Sequence, residues 1–262
     1  MAEHQIRFED GAAYERMMGV WTQLVGETFL DWLALPSGLR WLDVGCGNGA
    51  FTELVCSRAA PAKIDGIDPS DAQLDYARAR PRAAKARFHK GDARALPFGD
   101  NSFEAAVMAL AIFVVPEPEK GVAEMARVVA PGGTMAAYAW DFPGGGYPLQ
   151  AMQDAMRAGG LKPPLPPRAE VARSETLREL WLGAGLEAVE TRPISVTRSF
   201  ADFEEFWAIS TAGASMVSVM SELSEAERAL LKQRVRTLYP PDAAGRVACT
   251  GHVNAVKGRV PG

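Results

Sequence analysis

The stretch LDVGCGNGAFT, residues 42–52, decides how this chain is read. An apolar run ends at Val44, glycines stand at 45, 47 and 49, and a helix-forming run begins at Ala50. Glycine in that rhythm serves a backbone that bends tightly or lets something come close, because it carries no Cβ. Strand, glycine loop and helix together make a cradle, in which backbone amides at a helix N-terminus point at a ligand. The loop alone does not say which ligand. Gly45, Gly47 and Gly49 followed by Ala50 fit the loose dinucleotide fingerprint. Asp68 closes the next strand about twenty residues on, where an acidic side chain holds ribose hydroxyls. A tight turn with no ligand is the third reading.

Outward from the loop, apolar runs alternate with helical patterns. RWLDVG (40–45), AKIDGID (62–68), ARFHKGDA (86–93) and TMAAYAW (134–140) read as strands, and EAAVMALAIFVV (104–115) as a strand running on into apolar loop. Between them, AFTELVCSRA (50–59), PSDAQLDYARAR (69–80) and EPEKGVAEMARVVA (117–130) read as helices. The second has Ser70 or Asp71 as its cap, and the third ends at the PGG turn. Upstream, Tyr14, Met18, Trp21, Val25, Phe29 and Trp32 recur at three- and four-residue steps, the spacing of an amphipathic helix. Strands alternating with helices predict a largely parallel sheet with helices on both faces. After Trp140 the chain turns rich in glycine and proline around a helix near 149–158. A capped helix then ends at glycine in SETLRELWLGAG (174–185), and LEAVETRPISVTRSF (186–200) alternates like a strand. Two further helices flank a methionine-rich piece, and RVACTGHVNAVKG (246–258) closes the chain as a last strand.

The composition is that of a globular protein: 262 residues, 48% hydrophobic and 23% charged, with a net charge of -4. That balance gives no electrostatic footprint for nucleic acid. ARARPRAAKAR (77–87) is the nearest basic cluster and reads as a solvated helix end plus loop, against a patch for an anionic partner. Cys46, Cys56 and Cys249 fit neither a zinc site nor a disulfide framework and read as reduced thiols. The first residues are polar and unlike a signal peptide, and no apolar run approaches the ~20 residues that span a bilayer. A cytoplasmic protein with no membrane partner is expected, and its oligomeric state is left open.

The segments LDVGCGNG, IDGIDPS, HKGDARALPF and FEAAVMALAIFVVPEPEKGVAEMARVVAPGGTMAAYAW together resemble the class I S-adenosylmethionine-dependent methyltransferases. The branch they look like contains ubiquinone- and menaquinone-biosynthesis-type enzymes. The resemblance covers residues 14–140 well and the last third in outline. It implies an α/β, doubly wound, Rossmann-like, seven-stranded and mostly parallel sheet, with an antiparallel last strand beside the fifth and a helical cap. One methyltransferase domain over 1–262 is expected, with a cofactor-binding core at 38–141 and cap or substrate insertions at 142–173 and 200–245. The implied cofactor is S-adenosylmethionine and the implied partner a small-molecule substrate. By the resemblance, Asp43 orients the loop or the methionine ammonium, and Gly45, Cys46 and Gly47 form the loop that meets the methionine and ribose. Asp68 takes the ribose hydroxyls, with Pro69 and Gln73 following it. Asp92 and the Ala93 amide meet the adenine, while Ala109 and Leu110 face the methionine part. Tyr14 and Trp21 lie on a first helix that covers the cofactor. A dehydrogenase reading does not predict the GDARALPF segment or the ARVVAPGG turn.

Acceptor chemistry is less legible. Many relatives carry histidines after the fourth strand; Phe113 and Val114 stand there instead, which suggests an apolar wall and leaves no histidine base. His4, His89 and His252 read as structural or exposed, with His252 the one to mutate. Asp141 is a candidate base whose plainer reading is a turn cap. No carboxylate and histidine cluster suggests a metal. Tyr138 and Trp140 alternate on one strand and so share a face. Phe200, Phe203, Phe206, Trp207, Met216 and Met220 read as a small second core, or as a lid over an apolar pocket. PPLPP (163–167) reads as a stiff loop strut. The reaction expected is methyl transfer to O, N or C of a small, partly apolar molecule. The alternatives are an NAD(P)-dependent oxidoreductase, a non-catalytic S-adenosylmethionine-binding module and a protein-directed methyltransferase.

Overall fold

The computed structural model describes residues 15–163 and 165–262. Its seven strands are β1 (Arg40–Val44), β2 (Lys63–Asp68), β3 (Arg87–Lys90), β4 (Phe103–Ala109), β5 (Val129–Trp140), β6 (Glu187–Phe200) and β7 (Val247–Arg259). They form one sheet in the order β3-β2-β1-β4-β5-β7-β6. The first five are parallel, with helices crossing over from β1 to β2, β2 to β3 and β4 to β5. β7 runs antiparallel between β5 and β6, as expected from the resemblance. β1 and β4 lie side by side while their connections leave in opposite directions. That is a topological switch point, and it opens a crevice beyond their carboxyl ends.

The helices of the described residues are α1 (Val20–Leu33), α2 (Ala50–Arg58), α3 (Asp71–Arg78), α4 (Pro118–Val128), α5 (Gln150–Ala158), α6 (Ser174–Gly183), α7 (Phe203–Thr211), α8 (Ala214–Glu222) and α9 (Glu225–Leu238). A wide turn of π-helix, Glu15–Gly19, leads into α1. α1 lays its apolar stripe on the sheet. The Phe29 ring meets Tyr138 at 4.8 Å and Phe51 at 6.1 Å, and Trp21 stands edge-on to Trp140 at 5.7 Å. Tyr138 and Trp140 therefore face the same helix, as their alternation predicts, and the Tyr138 hydroxyl donates to the Thr22 carbonyl. Trp181 of α6 is fully buried and donates its indole N–H to the Met135 carbonyl at 3.2 Å.

Several local expectations are corrected. The PGG segment is not a loop after α4. β5 already begins at Val129, pairs there with Phe103, and absorbs the glycines in a register shift before Ala105. β4 does not run on past Ala109. Leu110 turns left-handed, with φ 55°, and residues 112–114 form a short 3₁₀ turn. α6 has no side-chain cap: Ser174 lies inside its first turn, and Arg173 at the cap position makes no such bond. Ser70, in contrast, does cap α3 by accepting from the Gln73 amide.

The basic cluster 77–87 is not all solvated either. Arg80 is 7% exposed because it closes a buried network. Its guanidinium donates to the Asn48 carbonyl and to Glu53 and Glu15, and Asn48 also donates to Glu15 at 2.7 Å. This ties the turn before α1 to the glycine loop.

Candidate active site

One cavity of about 720 Å³ lies beyond the carboxyl ends of β1, β2, β4 and β5. Its size is in the upper part of the ~300–1,000 Å³ range of ligand pockets. Gly45, Gly47, Asp68, Pro69, Gln73, Asp92, Ala93, Ala109 and Leu110 all line it. Three others do not. Asp43 and Cys46 lie behind the loop, at a second cavity of only about 20 Å³. Trp21 is buried under Trp140, which itself lines the main cavity. Tyr14 lies outside the described residues, as does His4.

The glycine loop is built for close approach. Gly45 has φ 72°, and a Cβ there would meet the Ala111 Cβ at 2.5 Å. Gly47 has φ 51°, but a Cβ there would find nothing nearer than Gln73 Oε1 at 3.9 Å, so it would stand in the cavity. The Gly47 and Ser70 amides each donate to one oxygen of Asp68 at 2.9 Å, which fixes that carboxylate at the cavity edge. Burial raises the Asp68 pKa against those two bonds. Asp43 is 1% exposed. Burial, helped by the nearby Asp68 charge, pushes its pKa up to about 7, although Thr52 donates to Oδ2. Asp43 Oδ1 is buried without a hydrogen-bond partner. Two acidic groups, one with an orphaned oxygen, thus flank a loop that presents bare backbone to the cavity at Gly45 and Gly47. Such a cradle suits a ligand offering hydroxyl and ammonium donors, and it repels a ribose phosphate.

Asp92 is at the wall but already engaged. The Arg94 guanidinium donates to both its oxygens and holds its pKa below the usual carboxylate range. Glu117 takes a further Arg94 N–H at 3.1 Å.

The opposite half of the cavity is apolar. Phe113 and Val114 line it, where a histidine was in question, and the Phe113 ring meets Phe142 at 5.0 Å. Met17, Met18, Met108, Phe142, Tyr147, Gln153 and Pro166 complete it and were not anticipated. Met17 and Met18 lie on the wide turn 15–19 that leads into α1. The resemblance put Tyr14 and Trp21 over the cofactor instead. Nothing in the loop 141–149 signalled which of its aromatic residues faces inward.

The described histidines lie elsewhere. His89 contacts the buried Asp65 at 2.7 Å, and His252 contacts the Ser195 hydroxyl on the exposed side of β7. Asp141 accepts from the Gly144 amide at 3.0 Å, a turn cap. Phe200, Phe203, Phe206, Trp207, Met216 and Met220 line one another rather than the cavity. Phe206 meets Phe200 at 5.3 Å and Tyr239 at 4.4 Å.

A seven-stranded sheet with an antiparallel strand beside the fifth, and a cavity beyond the carboxyl ends of the strands, is what the resemblance implied. Residues 42–137 match the family model described as "Methyltransferase domain". The chain is 32% identical over 126 residues to the 2-phytyl-1,4-naphtoquinone methyltransferase of Thermosynechococcus vestitus, covering 47% of this chain and 54% of that protein. It is 35% identical over 128 residues to the demethylmenaquinone methyltransferase of Renibacterium salmoninarum, covering 47% and 48%. The matches therefore span about half the length of these relatives. A crystal structure of Haemonchus contortus phosphoethanolamine N-methyltransferase 2 with S-adenosyl-L-methionine shares the fold. Its TM-score is 0.57 at 18% identity, over 95% of this chain and 56% of that one.

Proposed function

We propose that this protein transfers a methyl group from S-adenosylmethionine to a small, partly apolar molecule. The observation that carries this reading is a single cavity with a bare, acidic glycine cradle at one end and an apolar wall at the other. When bound, the cofactor supplies an activated methyl carbon, which takes an electron pair from the acceptor as its bond to sulfur breaks. The chain's own residues position and enclose. Asp68 accepts from the ribose hydroxyls with the lone pairs left beside its two amide bonds. The Gly45 and Gly47 backbone holds the methionine end, and Asp43 and Cys46 support the loop from behind. Asp92 and the Ala93 amide meet the adenine, with Pro69 and Gln73 alongside. Ala109 and Leu110 form the floor under the methyl group. Met17 and Met18 close the roof and keep water out.

Proton removal has no dedicated base at this wall among the described residues. Besides Asp68, Asp92 and Arg94, its titratable group is Tyr147. Burial pushes that phenol up to about 12, so it keeps its proton near neutral pH. We therefore place the catalytic contribution in positioning and desolvation. Three free thiols fit a reducing cytoplasm, the location we propose. No helix of the described residues is long and apolar enough to cross a membrane.

The test is calorimetric titration with S-adenosylmethionine and S-adenosylhomocysteine, with NADH as control and Asp68→Ala alongside. Micromolar binding of both sulfur compounds, weakened at least tenfold in the variant, is the expected result. Tighter binding of NADH, or no binding of either sulfur compound, would overturn the reading.

A further inference from the structure

The GDARALPF segment that follows β3 holds one cavity residue that the methyl-transfer reading leaves without a part. Arg94 lines the cavity beside Asp92 and Ala93. Its backbone N–H and its Nε donate to Asp92 Oδ1 at 2.8 and 3.0 Å. Its Nη2 donates to Oδ2 at 2.6 Å, and Nε is shared with that oxygen at 3.1 Å. A carboxylate offers about two acceptor positions on each oxygen. Both positions on Oδ1 are therefore taken, while Oδ2 keeps one. The Ala93 amide, the next donor along the chain, has no partner among the described residues. Arg94 is itself anchored. Its Nη1 donates to Glu117 Oε1 at 3.1 Å, and Lys120 Nζ stands 2.5 Å from Glu117 Oε2. Glu117 occupies the cap position of α4, so a helix outside the cavity steadies a side chain at its wall. Asp92 and Arg94 are 46% and 34% exposed, and a pair so open to water adds little stability. What the two-pronged fit adds is a fixed geometry, which a single point charge lacks.

We propose that Arg94 is a specificity-determining positioning residue, which sets Asp92 so that the site takes a 6-aminopurine and rejects a 6-oxopurine. This deepens the methyl-transfer reading and rests on its placing of the adenine at Asp92 and Ala93. A 6-aminopurine offers an N–H at position 6 and an acceptor nitrogen at position 1, the complement of the free Oδ2 position and the Ala93 amide. A 6-oxopurine reverses both: its oxygen meets the carboxylate, and its N1–H meets the amide N–H. Without Arg94, Asp92 would be free to turn away, or to take a proton and donate to that oxygen. The guanidinium closes both routes. Its fork holds the carboxylate in place, and its hydrogen bonds keep the proton off, as the lowered Asp92 pKa reflects.

Calorimetric titration of the full chain with S-adenosylhomocysteine and S-inosylhomocysteine tests this in the wild type, Arg94→Met, Asp92→Asn and the double variant. Both affinities are read on one sample, so their ratio does not depend on how much of a variant has folded. The wild type is expected to prefer the adenosyl compound by about 100-fold or more. Arg94→Met should lower that preference about tenfold. In the Asp92→Asn background the same change should lower it no further, because nothing is left for Arg94 to position. A wild type that binds neither compound ends the methyl-transfer reading and this inference with it. Three results overturn the role of Arg94 alone: a wild type that takes both compounds equally, a preference unchanged in Arg94→Met, and a preference lowered equally with and without Asp92→Asn. Tighter S-adenosylhomocysteine binding in Arg94→Met overturns it too, since Arg94 would then compete with the adenine for Asp92.

Discussion

Gly45 and Gly47 look alike in sequence but differ in what their missing side chains spare. At Gly45 an added Cβ collides with Ala111 inside the protein; at Gly47 it enters the cavity. Both positions have positive φ, which costs an L-residue roughly 1–2 kcal/mol. Gly45→Ala should therefore lose clearly more stability than Gly47→Ala, by about 1–3 kcal/mol of overpacking. Gly47→Ala should instead lose S-adenosylhomocysteine affinity out of proportion to its stability loss. Denaturant melts and titrations of the two variants separate these outcomes. Equal effects on both readouts would mean that the loop is only a turn.

Asp43 gives a pH signature with a definite sign. Its folded pKa, about 7, lies above the ordinary carboxylate value. Between roughly pH 4 and 7 the unfolded chain therefore sheds a proton that the folded chain keeps, and stability from this group falls as pH rises through that window. Asp43→Asn keeps an acceptor for Thr52 and removes the titration. The variant should gain up to a few kcal/mol over the wild type at pH 8 and nothing at pH 3.5, where the comparison also reads out any packing change. A constant difference across pH would refute the raised pKa.

At the scale of elements, the turn before α1 matters most, because it carries Met17 and Met18 to the cavity. It is held by Glu15, which reaches Arg80 and Asn48 across the glycine loop. Arg80→Leu leaves Glu15 and Glu53 without their cation. The cost should be about 2–4 kcal/mol, below that of a fully buried pair because both glutamates retain some solvent contact. Hydrogen exchange is expected to speed up first at residues 15–19, and unchanged protection there would exclude the latch. This device was invisible in the sequence. Its partners Asn48 and Arg80 are 33 and 65 residues from Glu15, and the stretch around Arg80 reads as an ordinary basic surface. The sheet was legible because period and punctuation are local. Ser70 marks its helix by cap chemistry, while Pro131, Gly132 and Gly133 misled because a register shift lets β5 absorb them.

For the whole molecule, the glycine-loop half of the cavity could be read ahead, and the apolar half only at Phe113 and Val114. Asp68, Asp92 and Leu110 follow strand ends, which period and apolar content locate. Tyr147 and Gln153 depend on how one loop folds over the sheet, and no spacing rule encodes that. The same division makes stability depend on ligand. At 100 times its Kd, S-adenosylhomocysteine should add about 2.7 kcal/mol and raise Tm by roughly 5–10 °C. At the same concentration Asp68→Ala should lose about half of the shift or more. A Tm insensitive to the compound in the wild type would contradict a preformed cradle.

The family-model match ends at residue 137, three residues before Trp140 on the cavity wall. On the proposed reading, methyl donor and acceptor are met by different lengths of chain, the acceptor by residues within 140–166. A graft of that segment onto a related core would be expected to carry the acceptor preference with it.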